Sequence, residues 1–251
     1  MKTIVIKNKH ALDKMHAAGQ KLALVMQEIE SILVPDIHTE YVDAFIEERM
    51  RLAGLNPECK GYAGYRHATC ISLNDVVIHG IPSKEKVLKS GDFVKIDVVG
   101  SYKGYCADMT RYFFIGTVSS VAHEMAQTAQ QALDRAIQAI KPGIHLSDIS
   151  ATIQQKVEQD GFSVVRAFCG HGIGRTMHEG PDVPNFGVAG MGPLLQEGMT
   201  LAIEPMITQK SYEIVVESDG WTVRTIDGGL AAHVEDTIVV TNDGARILTR
   251  L

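Results

Sequence analysis

Acidic residues inside apolar, strand-like runs are the strongest chemical signal in this sequence. Asp97 lies in Val-Lys-Ile-Asp-Val-Val, and Glu204 lies in Leu-Ala-Ile-Glu-Pro-Met. An unpaired carboxylate is costly to bury in such a run, so we expect each acid to have a compensating partner. Two further acids accompany apolar runs, in Asp108-Met-Thr and Glu235-Asp-Thr. The sequence therefore predicts four inward-facing carboxylates.

Carboxylates gathered with an imidazole are typical ligands of a pair of divalent transition ions. The imidazole candidate is His171, in Cys-Gly-His-Gly-Ile-Gly, whose glycines would let the backbone approach a ligand closely. Cobalt, manganese, iron(II), zinc and nickel all suit this donor set. A two-metal centre can hold a bridging water, lower its pKa and polarise a carbonyl, so amide hydrolysis is the expected reaction.

The sequence is internally duplicated. Several residues of the first half recur in the second half at one constant offset: Pro35, Ile37, His38, Gly54, Leu88, Gly91, Ile96 and Asp97 correspond to Pro142, Ile144, His145, Gly161, Leu195, Gly198, Ile203 and Glu204. This repeat predicts a single catalytic domain over residues 1–251, built from halves at about 9–115 and about 120–241.

The spacing of apolar residues predicts two helices in each half, followed by strands. Pro35 ends the first helix, Gly54 ends the second, and a helix over residues 121–140 begins the second half. The second helix of each half is expected to begin at a residue with N-cap chemistry, Thr39 or Ser147.

Residues 92–100 and 104–115 are predicted to form a hairpin joined by Ser-Tyr-Lys-Gly. A turn centred on the Tyr-Lys pair would place Asp97 directly opposite Asp108. Because like charges facing each other across a ladder are destabilising, this register predicts a cation between them.

The second half is predicted to use strands in the same way, with one inserted hairpin. Either Glu235 or Asp236 could point inward, and the match of Asp-x-Thr to Glu-x-Thr selects Glu235. The predicted strands cover residues 163–168, 200–207 and 233–241, and those of the inserted hairpin cover 212–217 and 221–226.

Cysteine and aromatic residues cluster around two glycines at Cys59, Tyr62, Tyr65 and Cys70. The cluster could be a tight turn buried by aromatic rings. Alternatively it forms a soft apolar pocket for a flexible thioether side chain, with Trp221 as its roof.

The composition limits the partners and the compartment. A net charge of −6 without a basic block argues against a nucleic-acid substrate. The four cysteines lack C-x-x-C spacing, no apolar run is long enough to span a membrane, and the first residues do not form a signal peptide, so we expect a cytoplasmic protein. A phosphate-binding loop at His171 is disfavoured because Pro181 and Pro184 follow too soon for a helix.

Together these motifs resemble the bacterial type I methionine aminopeptidases over essentially the whole chain. The resemblance is carried by Asp97, Asp108, Gly-His171-Gly-Ile-Gly-x-x-x-His178, Ile-Glu204-Pro and Val-Glu235-Asp-Thr. It implies an α/β fold of the "pita-bread" type, pseudo-twofold and duplicated, in which helices cover an antiparallel sheet. It also implies removal of N-terminal methionine from peptides and nascent proteins with a small second residue.

The same resemblance implies roles for the donor residues. Asp97 would be a terminal ligand of one ion, and Asp108 and Glu235 would bridge two ions. His171 and Glu204 would complete the second ion, and Glu204 would also relay protons as a general base toward the bridging water.

Substrate contacts are implied as well. His178 is similar to the residue that hydrogen-bonds the scissile carbonyl, and His79 to the one near the peptide nitrogen. Met177 stands where an aromatic residue is common, and Ile78 where a cysteine is frequent. The methionine side chain would be surrounded by Cys59, Tyr62, Tyr65, Cys70, Met177 and Trp221.

Three rival functions differ in testable ways. An Xaa-Pro peptidase or prolidase shares this site but usually carries an extra N-terminal domain, and this chain is expected to begin directly with its first helix. A non-catalytic protein of the same fold would usually lack ligands, and a phosphate-binding module would need a helix after the glycine loop. The ribosome is a further candidate partner of the expected enzyme, and a monomer is the family habit.

Overall fold

The computed structural model describes residues 3–251. Met1 and Lys2 lie outside this range, and they belong to the first residues, which are not expected to form a signal peptide. Of the helices in this range, none has the length and apolar character that a membrane span requires. The four helices are α1 (Lys9–Glu28), α2 (Thr39–Leu52), α3 (Ser120–Ala139) and α4 (Leu146–Gln159). Two 3₁₀ turns cover Ile29–Ile32 and Tyr62–Gly64.

Fifteen strands lie within the described range. They are β1 (Asn56–Pro57), β2 (Thr69–Leu73), β3 (Val76–Ile78), β4 (Phe93–Tyr102), β5 (Tyr105–Phe114), β6 (Ser163–Val164), β7 (Cys169–Gly172), β8 (Glu179–Pro184), β9 (Thr200–Ile203), β10 (Met206–Thr208), β11 (Ile214–Val216), β12 (Val223–Thr225), β13 (Ala231–His233), β14 (Glu235–Val240) and β15 (Ala245–Ile247).

One nine-stranded sheet runs through both halves. Its order is β1-β4-β5-β14-β9-β7-β8, with β2 beside β4 and β15 beside β14. Two three-stranded sheets, β13-β10-β6 and β11-β12-β3, adjoin it. Every pairing between these strands is antiparallel, as predicted.

Each pair of helices forms its own apolar core on the sheet. On β4, Val94, Ile96 and Val98 are buried in a core with residues of α1 and α2, so the intervening positions point to the opposite face. A second core joins α3 and α4 to apolar residues of β9 and β14. Because the helices cover one face of the sheet, the acids that alternate with these core residues are directed to the other face.

The β4–β5 register differs from the prediction. Tyr102 pairs with Tyr105, and Asp97 therefore faces Thr110 rather than Asp108. The turn consists of Lys103 and Gly104, both with positive φ (50° and 76°), as a two-residue hairpin turn of type I′ requires. Since the partner of each residue shifts by two positions, Asp97 and Asp108 remain on the same face as diagonal neighbours.

The predicted N-caps are also wrong. The residues in the N-cap position are His38 for α2 and His145 for α4. Thr39 Oγ1 instead donates to the carbonyl of Ser83 (3.1 Å). Ser147 Oγ accepts from the backbone N–H of Met191 (2.7 Å), so both hydroxyls fasten neighbouring loops rather than their own helices.

Strands of the second half are shorter than predicted. The strand expected over 163–168 ends at Val164, and the one expected over 200–207 is interrupted after Ile203. Both strands of the inserted hairpin are trimmed to three residues. Proline explains the second interruption, because Pro205 has no N–H to donate to a ladder.

The glycine run around His171 is a strand rather than a loop. A Cβ on Gly172 would collide with the carbonyl of Gly180, and one on Gly170 would collide with the carbonyl of Ala202. The glycines thus allow neighbouring strands to approach β7 closely.

We expect Gly172→Ala to lower the free energy of unfolding by about 1–3 kcal/mol, because the new methyl group would overlap the backbone of Gly180. Urea titration followed by circular dichroism measures this change. Gly244→Ala is the control, since its Cβ would make an ordinary contact with the carbonyl of Ile140 at 3.7 Å. Equal stability of the two variants would contradict the close approach of β7 and β8.

Candidate metal centre

Two central strands of the first half supply two of the acids. Asp97 and Val99 on β4 point to the cavity face, as does Asp108 on β5. The next position on this face, Thr110, donates from its hydroxyl to Glu235 Oε2 (3.1 Å). The alternation of the hairpin therefore places donors of the first half next to one from the second.

The second half supplies its acids where strands change sheets. Glu204 lies between β9, in the large sheet, and β10, in a small one. Glu235 begins β14, directly after Val234, which separates β14 from β13 of the same small sheet. The asparagine Nδ2 of Asn185 donates to the carbonyl of Glu204 (3.0 Å), which holds the first of these transitions in place.

Asp108, His171 and Glu235 form a compact donor group. One ligand atom from each lies within 4.8 Å of the others, and all three residues are buried. His171 Nε2 lies 3.7 Å from Asp108 Oδ2 and 3.5 Å from Glu204 Oε1. Imidazole and carboxylates at these separations can share a divalent ion.

A backbone contact orients the His171 ring. Its Nδ1 lies 2.9 Å from the carbonyl of Gly172. A carbonyl oxygen can only accept, so Nδ1 carries the proton and, in the neutral ring, Nε2 carries the lone pair. This is the arrangement in which a histidine binds a metal through Nε2.

The buried carboxylate oxygens of this group need a cation to compensate their charge. Asp97 Oδ1, Asp108 Oδ1 and Glu235 Oε1 are inaccessible and have no hydrogen-bond partner within residues 3–251. Burial, then the charges of neighbouring acids, raises the pKa of Asp108, Glu204 and Glu235 well above their usual values. Burial also raises the pKa of Asp97. Such a cluster is compensated when a bound cation shares the oxygens, so the residues present fit a metal site.

A cavity of about 300 Å³ opens above the acids. All five predicted ligands line it, and so do all of the predicted substrate contacts. These contacts are Cys59, Tyr62, Tyr65, Cys70, His79, Met177, His178 and Trp221. The structure therefore brings every predicted site residue to one place, while their individual roles stay predictions.

Sulfur and aromatic side chains form one wall of the cavity. Cys59, Tyr65, Cys70 and Met177 are buried in one apolar cluster against which Trp221 packs. The Tyr65 and Trp221 ring centroids are 4.9 Å apart. A side-chain contact with Cys70 and burial raise the pKa of the Cys59 thiol, so this thiol stays uncharged at neutral pH.

Two further histidines line the cavity, and the exposed His178 lies at its rim. His178 Nδ1 lies 3.0 Å from the Tyr62 hydroxyl, and the His178 ring meets the His171 ring edge-on at 4.4 Å. His79 packs edge-on against Phe168. Burial lowers the pKa of His79 to about 4, so its ring is neutral at pH 7.

Several residues in or beside the site were not predicted from the sequence. His233 is buried with Nε2 3.5 Å from Glu204 Oε2, and burial lowers its pKa to about 4. Val99, Phe168 and Asp182 line the cavity itself. The alternation of β4 could have identified Val99, two residues after Asp97. His233 is two residues before Glu235, but it lies in β13 of the small sheet, whereas Glu235 lies in β14 of the large sheet. Its approach to Glu204 therefore depends on how the chain passes between the two sheets.

Asp236, the rejected alternative to Glu235, points away from the cavity. Its Oδ1 accepts from Arg111 Nη2 (2.7 Å) and from Thr249 Oγ1 (2.8 Å). Its Oδ2 accepts from Arg250 Nε (2.7 Å). The two adjacent acids of β14 therefore serve opposite faces of the sheet.

Comparisons with known proteins agree with this geometry. The chain is 40% identical over 247 residues to methionine aminopeptidase A of Synechocystis, covering 98% of both proteins. It is 39% identical to methionine aminopeptidase 1 of Bacillus subtilis, covering 99% of this chain and 100% of that protein. The crystal structure of a methionine aminopeptidase from Thermotoga maritima superposes with a TM-score of 0.97 at 42% identity, covering 99% of this chain and 100% of the other.

The family profile extends over nearly the same region. Residues 13–242 match metallopeptidase family M24. The superposition also identifies the architecture as the pita-bread fold, with helices on one face of a curved antiparallel sheet. Together with the identities over the full chain, this match shows that the chain belongs to metallopeptidase family M24.

Proposed function

We propose that this protein is a metal-dependent aminopeptidase that removes N-terminal methionine from peptides and nascent proteins with a small second residue. The observation that carries this proposal is the convergence of five donor side chains and a sulfur- and aromatic-lined wall on one cavity. The names of the relatives described above support the same reaction. We also propose that both halves act as a single catalytic domain over residues 1–251.

We propose that the donor group holds two divalent ions. Asp97 would be a terminal ligand, Asp108 and Glu235 would bridge, and His171 with Glu204 would complete the second ion. Cobalt, manganese, iron(II), zinc and nickel all accept this mixture of carboxylates and imidazole. Such ions, when bound, supply Lewis acidity that activates water and polarises a carbonyl.

The side chains around the donors would perform the remaining steps. Glu204, whose carboxylate lines the cavity 3.5 Å from His171 Nε2, would accept a proton from the attacking water as a general base. His178 would donate to the oxygen of the scissile carbonyl from the rim. His79, neutral at pH 7, would assist proton transfer near the peptide nitrogen without adding charge.

The apolar wall would select methionine. A thioether is flexible and polarisable, and it packs favourably against sulfur and the faces or edges of aromatic rings. Tyr65 and Trp221 supply such rings, and Cys59 and Cys70 supply sulfur. Met177, in place of an aromatic residue, gives the wall an adaptable side chain, and Ile78 adds a second aliphatic surface.

The proposed partners are the N-termini of peptides and nascent proteins, with the ribosome as a place of encounter. We propose that the protein works as a monomer in the cytoplasm, where its four free cysteines would stay reduced. Nucleic acid is not proposed as a substrate, because the net charge is −6.

A peptide panel tests this function. We expect protein reconstituted with Mn²⁺ or Co²⁺ to cleave Met-Ala-x and Met-Gly-x peptides at least about tenfold faster than Leu-Ala-x, because an unbranched, flexible thioether suits the sulfur-lined wall better than the branched side chain of leucine. Peptides with proline in second position separate the rival Xaa-Pro peptidase. Preferential cleavage of Leu-Ala-x or of non-methionyl x-Pro peptides would overturn the proposal.

A further inference from the structure

Strands β5 and β14 join the two halves of the sheet over a short ladder. Its registered pairs are Glu235 with Thr110 and Asp236 with Met109. Asp108 and Glu235, one from each half, lie beside this junction, which we call the seam. The relative position of these two carboxylates therefore depends on what holds the seam together.

The segment after β15, residues 248–250, is bonded along the seam. Leu248 N donates to the carbonyl of Thr237 (2.8 Å). Thr249 Oγ1 accepts from Thr237 N (3.1 Å) and donates to Asp236 Oδ1 (2.8 Å). Arg250 Nε donates to Asp236 Oδ2 (2.7 Å). We call residues 248–250 the seam segment.

Hydrogen bonds continue from the seam segment to the backbone that carries the ligands. Arg111 Nη2 donates to the carbonyl of Thr249 (2.8 Å), and its Nη1 donates to the carbonyl of Glu235 (2.6 Å). Thr237 Oγ1 accepts from Asp108 N (2.9 Å) and donates to the Asp108 carbonyl (2.8 Å). Both ligand residues are thus held through their own peptide groups.

Asp236 is the centre of this network. Its side chain is fully buried and its two oxygens accept from Arg111, Thr249 and Arg250. A buried carboxylate with charged partners fixes its surroundings, because displacing a donor leaves a buried oxygen without that hydrogen bond. The network lies behind the cavity, on the face of β14 opposite Glu235.

Helix α1 of the first half supports the seam segment from the other side. Gln20 Nε2 donates to the carbonyls of Leu248 (3.0 Å) and Arg250 (2.7 Å). A Cβ on Gly19 would collide with the Leu248 carbonyl. The segment therefore fits closely between a helix of the first half and a strand of the second.

We propose that the seam segment is a positioning element for the metal ligands: it sets the separation of Asp108 and Glu235 and thereby the affinity of the site for divalent ions. The inference rests on the proposed function, in that it assigns a metal to this donor group. Thr249 and Arg250 touch neither the cavity nor a ligand side chain, and they act through Thr237, Arg111 and Asp236.

Two variants perturb the segment in different ways. Thr249→Val keeps the shape of the side chain and removes its hydroxyl, whereas Gly19→Ala alters no hydrogen-bonding group and displaces the segment by steric overlap. Ile153→Val is the control for lost stability, because Ile153 is buried in α4, in the core of the second half away from the seam. Thermal unfolding identifies the variants that are folded at the temperature of each assay.

Mn²⁺ binding, measured by calorimetry without any peptide, is the main readout. We expect Thr249→Val and Gly19→Ala each to weaken Mn²⁺ binding by at least about tenfold, while Ile153→Val retains the wild-type dissociation constant. Hydrogen exchange of metal-free protein should be faster at Asp108–Thr110 and Glu235–Thr237 in the first two variants alone. Excess Mn²⁺ should restore their cleavage of Met-Ala-x peptides.

Unchanged Mn²⁺ affinity in Thr249→Val, with a lowered unfolding temperature, would reduce the segment to a structural role and overturn the inference. If Gly19→Ala does not fold, Thr249→Val decides the matter, since it adds no atoms that could overlap α1. Wild-type protein that binds none of Mn²⁺, Co²⁺, Fe²⁺, Zn²⁺ and Ni²⁺ would overturn both the inference and the proposed function. Normal binding by wild type and by Thr249→Val would overturn the inference alone.

Discussion

Glu235→Ala should abolish both metal binding and peptide cleavage, with kcat/KM falling by more than about 10³-fold. Glu235 is buried, contributes to the group of three donors within 4.8 Å of one another and has an Oε1 without a hydrogen-bond partner in residues 3–251. Alanine removes two oxygens that would be shared between the ions. Metal content by mass spectrometry after dialysis and steady-state kinetics with Met-Ala-x measure the two losses.

An exposed acid provides the matched control. Glu213→Ala removes the same chemical group from the surface of the inserted hairpin and should leave metal content and kinetics at wild-type values. Complete chelation of the wild-type protein should reproduce the kinetic defect of Glu235→Ala. Activity that survives chelation, or a Glu235→Ala protein with full metal content, would refute the assignment.

His178→Ala should separate catalysis from metal binding. His178 lies on the rim, with Nδ1 against the Tyr62 hydroxyl at 3.0 Å, and it is outside the compact group of Asp108, His171 and Glu235. Loss of a donor to the developing oxyanion costs about 10²–10³-fold in kcat, whereas the metal ligands are untouched. We therefore expect metal content equal to wild type and a strongly reduced kcat.

The control for this variant is His10→Ala, which removes an exposed imidazole from α1. It should leave both metal content and kcat unchanged. A His178→Ala protein that loses metal would show that His178 is a ligand, and the division of roles between His171 and His178 would have to be revised.

The acids of the site could be predicted from the sequence because of where they occur. A carboxylate in an apolar run, such as Asp97 or Glu204, is costly to bury unless a partner compensates its charge. The duplication then related the two halves and allowed Glu235 to be chosen over Asp236. The structure places these two acids on opposite faces of β14, in agreement with that choice.

The hairpin register could not be obtained from the apolar pattern, because a shift of the partner by two positions keeps every side chain on its face. Backbone conformation decides it: a two-residue turn with positive φ at both positions suits Lys103-Gly104, where glycine takes the second position without strain. Placing Gly104 inside the turn would have given the observed pairing of Asp97 with Thr110.

Contacts that form where the chain passes from one sheet to another could not be predicted from the sequence pattern. His233 approaches Glu204 because β10 and β13 pair in a small sheet, with Met206 opposite His233. Nothing in the local sequence distinguishes His233 from a core histidine. The glycine strand β7 was missed for a similar reason, since glycine disfavours strands unless a neighbouring backbone approaches closely, and that neighbour is distant in sequence.

The continuous sheet also has a consequence for how a peptide would reach the cavity. Since β5 is hydrogen-bonded to β14, a hinge between the halves would have to break ladder bonds along with the Asp236 network. A hinged opening of the two halves is therefore disfavoured, and we expect the cavity to keep its shape during turnover. We expect admission and exit of the peptide to depend instead on rotations of individual rim side chains, such as the half-exposed Tyr62.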